Sequence, residues 1–139
     1  KTIKKLIIQT KNQSDLSIKS IKNNNLIEFV GKELSDRKIL EYPPYKRFIK
    51  IFYMGNKEET IKAKNIISEI FKEYNPIIFS SYVNKQREKY SINAIIKIDL
   101  KKWSLREISN NSIIDQNLLE KLASLPPTFS INIDPENII

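Results

Sequence analysis

The spacing of apolar positions changes along the chain, and each change marks an element. Lys5 to Gln9 (KLIIQ) is a short run rich in β-branched residues and predicts one buried strand. Thr10 to Asn25 is polar and ends in Asn23-Asn24-Asn25. From Leu26, the spacing Leu26, Ile27, Val30, Leu34 fits one face of a helix running to about Leu40. Tyr42-Pro43-Pro44-Tyr45 stops it, because each proline removes a backbone donor and drives the preceding residue out of the helical region. A boundary is expected there, separating residues 1–45 from 46–139.

Beyond the prolines the pattern is regular. Arg47 to Met54 reads as a strand, Gly55-Asn56 as a turn, and Glu58 to Tyr74 as a helix with Ile61, Ile66, Ile67, Ile70 and Phe71 as its apolar stripe. Ile77 to Val83 and Tyr90 to Asp99, joined by the charged connection Asn84 to Lys89, predict an antiparallel hairpin with Ile92, Ala94, Ile96 and Ile98 on one face. Ser104, with Glu107 at capping-box spacing, predicts a helix start; Asn110-Asn111 interrupts that helix and Ile113 to Leu125 resumes it. Thr128 to Ile133 is a last strand. The order from residue 46 is β-α-β-β-α-β, so an α+β fold is expected: a ferredoxin-like split βαβ antiparallel sheet with helices on one face, preceded by a helical connecting segment.

Composition narrows the chemistry. The 139 residues contain no His and no Cys, which excludes the usual zinc ligands, disulfides, thiol nucleophiles and imidazole bases. The absence of cysteine agrees with a reducing cytoplasm. No apolar run approaches the roughly 20 residues needed to cross a bilayer, so no membrane association is expected. Lys1 stands where a Met would begin a chain, and no signal peptide follows, so a piece of a longer protein is expected. The net charge of +8 points to a polyanionic partner. However, 20 Lys, 26 Ile and 14 Asn, all residues of A/T-rich codons, make up 60 of the 139 residues, so codon drift explains much of the lysine excess. The four arginines and the aromatic positions carry more weight. By region, Lys1 to Glu58 is +7 and Glu59 to Ile139 only +1, while Lys85 to Lys102 holds six basic residues against two acidic ones.

Several short motifs recur in a recognisable order: IIQT at Ile7 to Thr10, Glu33-Leu34 with Arg37, Tyr42-Pro43-Pro44-Tyr45, Arg87-Glu88-Lys89-Tyr90, and Ile131-Asn132-Ile133-Asp134-Pro135. In that order and at those spacings they resemble the C-terminal end of the primosomal protein N′ (PriA) family of replication-restart helicases, over essentially Lys5 to Pro135. The resemblance implies that Lys1 to about Thr10 trails from the second helicase lobe, Lys11 to Tyr45 is a connecting segment, and Lys46 to Ile139 is a C-terminal domain packing on the helicase lobes. It implies a cytoplasmic, ATP-dependent 3′→5′ DNA helicase as the parent. ATP, Mg2+ and Zn2+ would belong to that parent alone: with only Gly31 and Gly55, this segment has no phosphate-cradling loop, and no cofactor is expected in it.

Candidate binding residues follow from both readings. Lys85, Arg87, Lys89 and Tyr90 place three cations and an aromatic on one hairpin connection, suited to phosphate contact and base stacking; the alternative is a solvated charged loop. Lys101 joins them as a DNA-contact candidate. Lys102 and Arg106 lie four apart, one helix face, where the resemblance implies binding of the acidic tail of single-strand-binding protein; the alternative is helix-surface charge with Trp103 as a packing residue. Tyr42 to Tyr45 reads as a rigid corner with Tyr45 on the sheet, and Asp134-Pro135 as a strand end. Glu58-Glu59, Glu69 with Glu73, and Glu120 face solvent with no catalytic pairing, so no catalytic centre is expected in this segment. The expected function is a DNA- and partner-binding domain of a replication-restart helicase. Its ligands would be forked or single-stranded DNA, single-strand-binding protein and other primosome proteins. The alternative is a protein-only scaffold whose basicity is codon drift.

Overall fold

The computed structural model of the chain describes residues 7–84, 89–104 and 113–138. It forms two compact units, one up to Ile39 and one from Leu40 onward.

The first unit holds two helices, α1 (Leu16–Lys22) and α2 (Leu26–Ile39), and buries no residue of either. Asp15 caps α1, its side chain accepting from the Ser17 N–H, and these bonds hold the Asp15 carboxyl below the usual carboxylate range. The polar stretch before Leu26 therefore contains a helix that a local cap starts, within the segment expected to be a helical connection. Asn25 opens α2, exchanging hydrogen bonds with Glu28. The expected helix is present, but its apolar stripe of Ile27, Val30 and Leu34 is solvent-exposed. The strand expected at Lys5 to Gln9 is not found: Ile7 to Gln9 are exposed and irregular, and Lys5 and Leu6 lie outside the described residues.

The second unit is built on a four-stranded antiparallel sheet of β1 (Lys46–Gly55), β2 (Ile77–Asn84), β3 (Lys89–Asp99) and β6 (Ser130–Ile133), in the order β2-β3-β1-β6. With α3 (Lys57–Ile70) between β1 and β2, and α4 (Gln116–Ala123) before β6, the fold is α+β and consistent with the split βαβ arrangement. Both helices cover one face. Ala63 and Ile67 of α3 and Leu118 and Leu122 of α4 pack with Ile49 and Ile51 of β1 and Ile92, Ala94, Ile96 and Ile98 of β3.

Local chemistry starts and stops these helices. Asn56 caps α3 in a reciprocal box, accepting from the Glu59 N–H at 2.9 Å while the Glu59 carboxylate accepts from the Asn56 N–H at 2.8 Å. The buried positions of α3 are Thr60, Ala63 and Ile67, with Phe71 completing the line, whereas Ile61 is exposed. Of the expected stripe, Ile67 and Phe71 are in the core and Ile66 and Ile70 pack against it, so only Ile61 departs, its place on the buried side taken by small Thr60 and Ala63. A single 3-10 turn, Lys72–Tyr74, follows, and Asn75 in the left-handed region (φ 46°) ends it before Pro76.

Trp103–Ser104 form a two-residue strand, β4, paired with β5 (Ile113–Ile114), so the helix expected to resume at Ile113 does not begin there; the helix start expected after Ser104 lies outside the described residues. Residues 105–112 lie outside the described ones. Helix α4 starts only after Asp115, whose side chain accepts from the Leu118 N–H at 3.1 Å. The Pro corner also differs in one ring: Tyr42 meets Phe48 edge-on at 5.4 Å, while Tyr45 is exposed and its N–H closes the turn on the Tyr42 carbonyl; the Pro43-Pro44 bond is cis.

Candidate nucleic-acid interface

Lys89 opens β3 opposite Asn84 and is exposed; Lys85 and Arg87 lie outside the described residues. Tyr90, one position on, sits on the opposite face of the strand from Lys89. There it is half-buried and lines a cleft of ≈ 310 Å³ with Ile92, Ser80 and four residues of α3: Lys57, Thr60, Ile61 and Lys64. Lys57 and Lys64, seven residues apart and so on one side of the helix, are exposed and make no ion pair among the described residues. The single hydroxyl proton of Thr60 is shared between the Asn56 and Lys57 carbonyls at 3.0 and 2.8 Å, so Thr60 has no proton to donate to a phosphate. The cleft thus joins one phenol ring to two uncompensated ammonium groups, a combination able to stack a flat ring and neutralise phosphates.

Lys101 and Lys102 occupy the turn after β3, the Lys102 N–H bonding the Asp99 carbonyl at 2.9 Å. Both are exposed, and Trp103 beside them is buried. They share this corner with an ion cluster. The Lys46 ammonium binds Asp99 at 2.7 Å and Glu41 at 3.4 Å, and the hydrogen bond from Lys46 holds the Asp99 carboxyl below its usual range, with Lys102 and Lys101 adding field. The same bond raises Lys46. Lys102 and Arg106 were expected to share a helix face, but Lys102 stands in a turn followed by a strand, so that geometry does not hold; Arg106 lies outside the described residues.

Lys89 and Lys101 mark opposite ends of β3, whose 11 residues span about 35 Å at a strand's rise. The basic stretch that is continuous in sequence is therefore two separate surfaces. The two arginines among the described residues are weaker markers than expected. Arg37 pairs with Glu33 at 2.7 Å. Arg47 is buried, its Nε 3.0 Å from Asp134 and its Nη1 donating to the Trp103 carbonyl at 3.2 Å. Both serve the fold. The acid Glu73, expected to face solvent, binds Lys121 at 3.0 Å and accepts from Asn117 at 2.8 Å. Among the described residues no group of three acidic side chains could hold a metal ion, and no helix is long and apolar enough to cross a membrane.

The sequence reading did not single out Lys57 and Lys64. The signal was present as two lysines one helical face apart at the start of α3, but only the hairpin register brings Tyr90 to that face.

Compared with known proteins, the chain is 41% identical over 59 residues to the replication restart protein PriA of Borreliella burgdorferi. The aligned stretch is 42% of this chain and 9% of that protein, so the chain spans a small part of its relative's length. No family model matches it.

Proposed function

We propose that this chain is a DNA- and partner-binding segment of a PriA-type replication-restart helicase, acting by recognition without chemistry in the cytoplasm. Similarity to the replication restart protein supports the role. The observation that carries DNA contact is the cleft in which Tyr90 stands beside Lys57 and Lys64 with no acidic partner for either lysine among the described residues. Lys85, Arg87 and Lys89, just before Tyr90 in the sequence, are further phosphate contacts, and Lys101 provides a second, separate cationic surface at the far end of β3. Such groups read backbone charge and exposed bases, so the ligand is forked or single-stranded DNA without sequence preference. Lys102, exposed in the turn after β3, is the contact for the acidic tail of single-strand-binding protein, and the domain docks on the helicase lobes of a parent that holds ATP, Mg2+ and Zn2+.

The test is binding of forked DNA as a function of salt. Replacing Lys57, Lys64 and Lys89 with Ala lowers affinity and reduces the slope of log affinity against log salt by roughly 0.7–0.9 for each phosphate no longer neutralised. Unchanged affinity and slope would leave a protein-only scaffolding module in its place.

A further inference from the structure

The sheet has a second face. The alternation that sends Ile49, Ile51 and Tyr53 into the core under α3 and α4 sends Phe48, Lys50, Phe52 and Met54 the other way. Register brings cross-strand partners beside them. One row reads Phe52, Asn93, Phe79 across β1, β3 and β2; the next reads Lys50, Ile95, Ile77; and Lys97 stands opposite Phe48. Phe52 and Phe79 are half-buried, and Ile77 and Met54 are exposed. A groove of ≈ 230 Å³ runs between Tyr42, Phe48, Ile77, Phe79, Ile95 and Lys97.

Charge on this face is one-sided. The Lys97 ammonium lies 5.0 Å from the Tyr42 ring centroid and donates to the Leu40 carbonyl at 2.7 Å. Lys50 donates to the Asn137 carbonyl at 3.3 Å. Neither has a carboxylate partner among the described residues. An occupant must therefore cover apolar rings and supply negative charge. A second copy of the face would oppose lysine to lysine, and an uncharged apolar peptide would leave both cations uncompensated. Duplex DNA is excluded by shape, since its major groove admits a helix or a two-stranded ribbon but not a four-stranded sheet. The groove, below the roughly 300 Å³ of sites for drug-sized ligands, suits a single flat ring. Phe52 and Phe79 stand two strands apart, about 10 Å, with Asn93 between them, so each ring is a separate platform.

We infer that the sheet face opposite α3 and α4 binds single-stranded nucleic acid, stacking successive unpaired bases on Phe52 and Phe79 and placing the flanking phosphates on Lys50 and Lys97. This deepens the DNA-binding reading and rests on it, but uses a different surface from the Tyr90 cleft.

Fluorescence anisotropy with an oligothymidine and an abasic oligonucleotide of equal length tests it. The protein prefers the base-bearing strand. Phe52→Leu and Phe79→Leu keep apolar bulk but remove a ring, and each weakens oligothymidine binding roughly 5- to 150-fold while leaving abasic binding unchanged. Replacing Lys57 and Lys64 with Ala weakens binding of both strands alike. If the leucine variants bind oligothymidine like the parent while the lysine variant loses affinity, the base platform is overturned and the DNA-binding reading stands. If the parent binds neither strand, both fall. A measurement free of folding effects uses the unmutated protein: at saturation, proton–proton Overhauser effects link the Phe52 and Phe79 rings to base protons, and their absence overturns the proposal.

Discussion

Arg47 illustrates how one residue's role depends on what surrounds it. In the sequence it is one of four arginines and opens a strand. In the fold it is buried, and its guanidinium bridges Asp134 at the end of β6 and the Trp103 carbonyl at the start of β4. A planar fork can serve two acceptors in different directions, which an ammonium cannot. Asp134→Ala is expected to destabilise the protein by about 1–2 kcal/mol, at the modest end because half of the carboxylate is in water. Arg47→Lys should also destabilise, since one donor group cannot reach both partners. Urea unfolding of both variants, read as midpoints at constant slope, checks this. Asp134 also takes a left-handed backbone (φ 53°), its N–H bonding the Phe48 carbonyl at 2.8 Å, so the pair before Pro135 is structural, as its sequence suggested.

At the scale of elements, the end of α3 and the turn after it are tied to both ends of α4 by polar interactions that sequence spacing did not reveal. Lys121 binds Glu73 at 3.0 Å and the Ile70 carbonyl at 2.9 Å, while the Tyr74 hydroxyl donates to Asp115 at 3.2 Å. The hydrogen bond from Lys121, then that from Asn117, holds the Glu73 carboxyl below the usual glutamate range, and desolvation raises Tyr74. With the folded value of Glu73 depressed, the unfolded chain binds more protons as pH falls below the ordinary glutamate value of about 4.3. The stabilisation is present above that pH and is lost as pH drops through the folded value. Glu73→Gln should therefore lower the melting temperature at neutral pH and converge with the parent toward about pH 2. Thermal melts across that range measure the difference.

Over the whole molecule, the hydrophobic core lies in the unit from Leu40 onward, where α3 and α4 close on the sheet. The unit before it has helices of 7 and 14 residues with no buried residue. Helices that short are marginal in water without tertiary packing. Residues 40–139 alone should melt cooperatively with near the full chain's midpoint, whereas 7–39 alone should show little helical circular dichroism and no transition. A 40–139 piece that fails to melt cooperatively would mean that its stability needs the preceding segment. The alternation of β1 was legible, as was the hairpin of β2 and β3, because Ile92, Ala94, Ile96 and Ile98 bury on one side over a long strand. The second helix was legible only in part: it was expected from Ile113, but Ile113 and Ile114 pair with Ser104 and Trp103 in a short strand and α4 begins at Gln116. β-branched Ile113 and Ile114 favour the strand, and the Asp115 cap, worth about 1 kcal/mol, starts the helix after them.

The sequence by itself determined the class of fold, the positions where prolines stop elements, the lack of His and Cys chemistry and the resemblance to a replication-restart family, because these depend on residue type and on spacing within one element. Only the tertiary structure decided that Tyr90 faces Lys57 and Lys64, that Arg47 belongs to Asp134, and that Phe52 and Phe79 share a face with Lys50 and Lys97. Each of those pairings joins residues distant in the chain, and cross-strand register, which no local period encodes, sets which of them meet.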